Sequence, residues 1–172
     1  RRAVEIFQAL AVAEGKIHNV EPENVHFHEV GAIDSIVDIV AAAICIDYLR
    51  PDVVLCSPVE VGSGFVNCAH GRFPVPAPAT QELLINAPCT YGGVDGECTT
   101  PTGAAILAAS VNEYAPRHGF TPTKIGYGIG YKDFAIPNVL RVALGQYDAH
   151  EDHSQHIKLE ANIDDMSPEA FE

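Results

Sequence analysis

Basic side chains are scarce in this sequence. Ten Lys and Arg stand against 23 Asp and Glu in 172 residues, a formal charge of -13. A nucleic-acid backbone or an anionic bilayer repels such a chain, which argues against both as partners. No apolar run approaches the ~20 residues that a membrane-spanning helix needs. The five cysteines are odd in number and contain no C-x-x-C pair, which argues against a disulfide framework and against a zinc knuckle. A reducing cytoplasm is the expected setting. The front of the chain lacks the charged-then-apolar layout of a signal peptide. There is no Walker loop, no dinucleotide fingerprint and no internal repeat.

Apolar material is plentiful, at 47% hydrophobic against 19% charged, enough to bury a real core. The first seven residues already read as helix, and the last seven read as an element just beginning. The chain is therefore expected to be a fragment of a longer two-domain protein. Residues 1–147 would form the main domain, lacking its N-terminal strand. Residues 148–172 would form an acidic linker and the start of a truncated C-terminal domain. Charge supports that division, because residues 147–172 hold eight acids, from Asp148 to Glu172, and a single base, Lys158.

Apolar periodicity predicts a helix over 3–16 with Val4, Phe7, Leu10 and Ala11 on its inner face. Residues 25–30 alternate like a half-buried strand, and a long helix follows over about 32–49. On that helix Ile33, Ile36, Val37, Val40 and Ile44 share one side, Ile39 and Ile46 flank it, and so apolar a helix is expected to be mostly buried. Cys45 and Cys56 are expected to be small buried apolar groups. Residues 53–55 read as a short buried strand. The stretch 62–78, with Pro74, Pro76 and Pro78, reads as a stiff loop or edge hairpin. Helices are expected over 79–86 and 101–113, the second capped by Thr100 with Pro101 in its first turn. Strands are expected at 123–131, 138–145 and 156–163. Interleaved strands and helices point to an α/β or α+β domain with a mixed sheet.

The strongest chemical signal is His26-Phe27-His28-Glu29. Strand periodicity puts both imidazoles on one face, where one ion can meet both, and Asp34 and Asp38 follow one turn apart on the next helix. Two imidazoles with carboxylates suit a borderline divalent ion such as zinc, nickel, manganese or iron. The same residues also fit a solvated strand face and a helix-dipole acid. His70 and Arg72, in the rigid loop, offer a proton-transfer group and an anion fork. Ser63 and the Thr100–Thr102 helix start offer hydroxyls and backbone N–H groups for an anion, or simply a turn and a cap. Glycine at 126, 128 and 130 suggests a close backbone approach or a ligand lying across a strand.

Six ordered blocks resemble one family. They are 25–40 (VHFHEVGAIDSIVDIV), 61–66 (VGSGFV), 69–80 (AHGRFPVPAPAT), 100–107 (TPTGAAIL), 137–142 (PNVLRV) and 162–169 (NIDDMSPE). Together they resemble the LarC family, the nickel-insertion proteins (cyclometallases) of lactate racemase cofactor biosynthesis. Ala41 stands where that family has glycine and Phe73 where it has methionine; neither is a candidate ligand. The family is longer at both ends, with a strand and a loop rich in Asp, Gly and Ser in front and a C-terminal domain behind.

The resemblance implies nickel insertion into pyridinium-3,5-bisthiocarboxylic acid mononucleotide, forming one nickel–carbon and two nickel–sulfur bonds. CTP hydrolysis with Mn2+ or Mg2+ would accompany it. On this reading His26, His28, Asp34 and Asp38 hold Ni2+, while Glu29, Asp34 or His70 takes the ring proton. Ser63, Arg72, Thr100 and Thr102 bind the mononucleotide. Homo-oligomerisation stays open, and so do three rival roles. These are a metal-dependent hydrolase or lyase acting on a small phosphorylated substrate, a non-catalytic nickel-delivery module, and a plain structural domain.

Overall fold

The computed structural model describes residues 1–25, 27, 33–68, 71–115, 119–148 and 156–162, the last of these and Cys68 by backbone alone. Helix α1 (Arg2–His18) closes on Asn19, whose left-handed backbone (φ 53°) lets its N–H reach the Gly15 carbonyl. Lys16 and His18 in its last turn meet the negative end of the helix dipole. Helix α2 (Ile33–Leu49) follows, then strands β1 (Val53–Cys56), β2 (Val59–Glu60), β3 (Gly62–Ser63), β4 (Phe65–Cys68) and β5 (Gly71–Pro74). Helix α3 (Pro78–Leu83), β6 (Cys89–Thr90), β7 (Gly96–Glu97) and helix α4 (Pro101–Ser110) come next. The described chain ends with β8 (Glu113–Tyr114), β9 (Phe120–Ile129), β10 (Val139–Tyr147) and β11 (His156–Asn162).

Five strands form a mixed sheet in the order β8-β1-β11-β10-β9. β1 runs parallel to both β8 and β11, and β10 runs antiparallel to both β11 and β9. The mixed α/β architecture expected from the sequence is what the chain forms. The sheet continues through 156–162, past the point where the acidic stretch begins. The proline-rich segment forms the expected hairpin, β4 pairing antiparallel with β5. No described helix is long and apolar enough to cross a membrane.

Helix α4 is the hub. Its apolar residues run around the helix, and only Ala108 is exposed. Ala105 joins Ile6, Leu10, Ile39 and Ala43 in one core, where α1, α2 and α4 meet. Ala104, one residue earlier, joins Cys56, Val59, Val61 and Leu84 in a second core under the sheet. Small side chains at 104 and 105 let both layers approach the same helix closely.

Two expected faces are corrected. On α1 the buried stripe is Ile6, Leu10 and Ala13, while Val4 is exposed, so the inner face is rotated from the one expected. On α2 the buried stripe is Ser35, Ile39, Ala43 and Ile46, and the side carrying Ile33, Ile36, Val37, Val40 and Ile44 is exposed. Small Ser35 and Ala43 allow close contact with α4 and α1, and Ile39 between them fills the shared core. Cys45 is likewise exposed, whereas Cys56 is buried as expected.

Candidate functional site

Local chemistry places the start of α4. Thr100 Oγ1 accepts the Gly103 N–H at 3.3 Å, and Pro101 occupies the first turn. The loops in front of it are tied by Glu60, whose carboxylate accepts from the Gly62 N–H at 2.8 Å, the Thr90 hydroxyl at 2.6 Å and the Gly93 N–H at 3.3 Å. The Glu60 carbonyl accepts from Thr99 Oγ1 at 2.8 Å. Glu60 is thus a brace that pattern reading passed over, because a single acid between two apolar runs carries no periodic signal.

Tertiary packing then joins two helix starts. Thr102 Oγ1 donates to Ser35 Oγ at 3.4 Å, and both residues are buried. This brings the first turn of α4 against the first turn of α2, where Asp34 lies, with Asp38 in the next turn. Asp34 is exposed, and one carboxylate oxygen accepts the Ser35 N–H at 2.8 Å. Asp38, one turn on, faces a cavity of about 630 Å³.

That cavity is walled by α2, β1, α4 and the β9–β10 hairpin, and Thr100 and Gly103 sit on its rim with Asp38. Its lining is chiefly apolar, with Leu55, Ile106, Leu107 and Leu140 among the walls. Asp38 and Thr100, singled out from the sequence for different reasons, therefore share one hollow. Thr102 stands behind it and Asp34 one turn outside it. Volume and lining fit a small-molecule pocket, apolar with a few polar groups to orient a ligand.

The remaining candidates lie elsewhere. Ser63 Oγ donates to the Val94 carbonyl at 2.7 Å. Arg72 projects from the β4–β5 hairpin, its guanidinium 4.3 Å from the centre of the Phe65 ring. Neither lines the cavity. His26, His28, Glu29 and His70 lie outside the described residues. Phe27, between the two histidines, packs its ring 6.5 Å from that of Phe7 on α1. Among the described residues no group of three His, Cys, Asp or Glu is arranged to hold a metal ion.

Comparison with known proteins gives a consistent outcome. The sequence family described as "Nickel insertion protein" matches residues 1–172. A Clostridium kluyveri protein named pyridinium-3,5-bisthiocarboxylic acid mononucleotide nickel insertion protein is 58% identical over 167 residues, covering 97% of this chain and 42% of its own length. Its namesake from Clostridium acetobutylicum is 57% identical over 169 residues, covering 98% of this chain and 40% of its own length. Another of that name from Desulfitobacterium hafniense is 48% identical over 178 residues, covering 99% of this chain and 44% of its own length. The chain thus spans about four-tenths of the length of these relatives. No solved structure matches it.

Proposed function

Since the chain belongs to the nickel insertion protein family, we propose that it serves nickel insertion into pyridinium-3,5-bisthiocarboxylic acid mononucleotide in a reducing cytoplasm. The observation that carries this reading is the family match over residues 1–172 joined to relatives that bear that name at 57% and 58% identity. The cavity between α2 and α4 supports it physically, offering a carboxylate and a helix start beside apolar walls.

The chemistry assigns each residue a task. His26, His28, Asp34 and Asp38 hold the incoming Ni2+ through imidazole nitrogen and carboxylate oxygen, a set soft enough to bind it and weak enough to yield it to sulfur. The substrate's two thiocarboxylate sulfurs then take the ion. A nickel–carbon bond forms as the ring C–H loses its proton to Glu29, Asp34 or His70. Thr100 and Thr102, at the N-terminal end of α4, receive the mononucleotide phosphate, with Ser63 and Arg72 as further anion partners. CTP with Mn2+ or Mg2+ is retained as co-reactant.

The test is mass spectrometry of the mononucleotide after incubation with the chain, Ni2+, CTP and Mn2+. A product heavier by one nickel and lighter by the displaced protons is expected. Recovery of unmetallated substrate alone would refute the reading. In parallel, His26→Ala/His28→Ala is expected to weaken Ni2+ binding by calorimetry at least tenfold; unchanged affinity removes the proposed ion site.

A further inference from the structure

Glycine is a costly choice inside a strand, because it packs nothing and loses the most backbone freedom. β9 carries two such residues without a visible reason. A Cβ built on Gly126 or Gly128 meets no described atom within 4 Å, and neither has the left-handed backbone that demands glycine. Their neighbours show what a reason looks like. At Gly130 a Cβ would strike the Asn138 side chain, and at Gly145 the Thr121 carbonyl.

Part of this stretch walls the cavity, since Gly128 lines it and Gly126 does not. Gly128 pairs with Leu140 across the hairpin, and the two line it together with Val142 and with Ile129, which is 83% exposed. On the α4 wall stands Ser110, only 9% exposed, whose Oγ has no hydrogen-bond partner among the described residues. A buried hydroxyl left unpaired is destabilising and calls for a polar group from outside the described residues, which a bound ligand would supply. Among the described residues Asp38 is the one carboxylate in the lining, and no Lys, Arg or His lines the cavity.

From these observations we propose that the cavity takes a planar, positively charged heteroaromatic ring, lying flat on the bare backbone of β9 at Gly128. Asp38 faces the ring's charge, and Ser110 Oγ pairs with a polar ring substituent. The missing side chain leaves open space over Gly128, and apolar residues of α4 and β1 line the same cavity. That the ring is the pyridinium of the mononucleotide rests on the proposed function; the slot itself does not.

The experiment is calorimetric titration of the 172-residue chain with pyridinium-3-carboxylic acid mononucleotide, with ribose 5-phosphate as the ringless control. The ring compound is expected to bind, and Gly128→Val to weaken it at least tenfold while far-UV circular dichroism is unchanged. Ser110→Ala is expected to weaken it about two- to tenfold. Should the valine variant fail to fold, Gly128→Ala fills part of the same slot and is expected to weaken binding about threefold or more. No binding at millimolar probe, equal affinity in the Gly128 variants, or equally tight binding of ribose 5-phosphate would each overturn the proposal. Metallated product formed with an unaltered KM by Gly128→Val defeats the slot and leaves the nickel reading standing. Ring binding that is sensitive to Gly128 without any metallated product does the reverse.

Discussion

The junction of α1, α2 and α4 and the β9–β10 hairpin follow opposite rules. At the junction Ile6, Leu10, Ile39 and Ala105 are wholly buried, and each residue is accounted for by the neighbour it touches. Along β9 only Phe120 is even half-buried, yet the strand carries Ile125, Tyr127 and Ile129 outward and glycine between them. Internal packing therefore selects the residues of the first region and leaves those of the second unexplained. Side chains that a fold does not use are where a binding surface shows itself.

The contrast can be broken most forcefully at the junction. Leu10→Ala is expected to cost about 2–5 kcal/mol, since it removes a fully buried side chain and leaves a cavity. Ile129→Ala on β9 is expected to stay within about 0.5 kcal/mol. Urea unfolding of both variants checks the pair, and equal losses would dissolve the distinction. A smaller effect is expected where the junction borders the cavity. Thr100→Ala removes the cap of α4 and should cost about 1 kcal/mol by the same measurement. Because Thr100 is also placed at the phosphate, it should weaken mononucleotide binding as well, whereas Leu10→Ala should act on stability alone.

The finest test is a titration. Burial, helped by the neighbouring Cys56 and Cys89 thiols, pushes the Tyr114 phenol up from 10 to about 12. A raised pKa means that the fold favours the neutral phenol. Its contribution to stability is complete below pH 10 and is lost as the pH climbs towards 12. Absorbance at 295 nm should show a high-pH tyrosine step that Tyr114→Phe diminishes, with Tyr147, raised by burial and its hydrogen bond to Glu113, remaining. Loss of a step near pH 10 instead would place Tyr114 in water.

Local signals were legible in the residues themselves. The cap and proline at 100–101, the hairpin among the prolines and the three long strands each rest on backbone rules acting over a few residues. They appear within a few positions of where they were expected. The helix at 101–113 stops earlier, at Ser110, with Val111 leaving the helix in an extended conformation. Asp38 and Thr100 could be named as candidates because a carboxylate on an apolar helix and a threonine at a helix start each need a partner. Ser110 could not, since one serine in an alanine-rich helix looks like a harmless substitution until its burial is known.

The presence of the helices, the cap at Thr100 and the ordered family blocks were thus settled by the order of residues alone, for they depend only on near neighbours along the chain. Which side of α2 turns inward was not, nor was the meeting of Ser35 with Thr102, 67 positions apart. Those depend on how closely three helices can approach, and that distance is set by small side chains on separate segments, a quantity no single stretch of sequence contains.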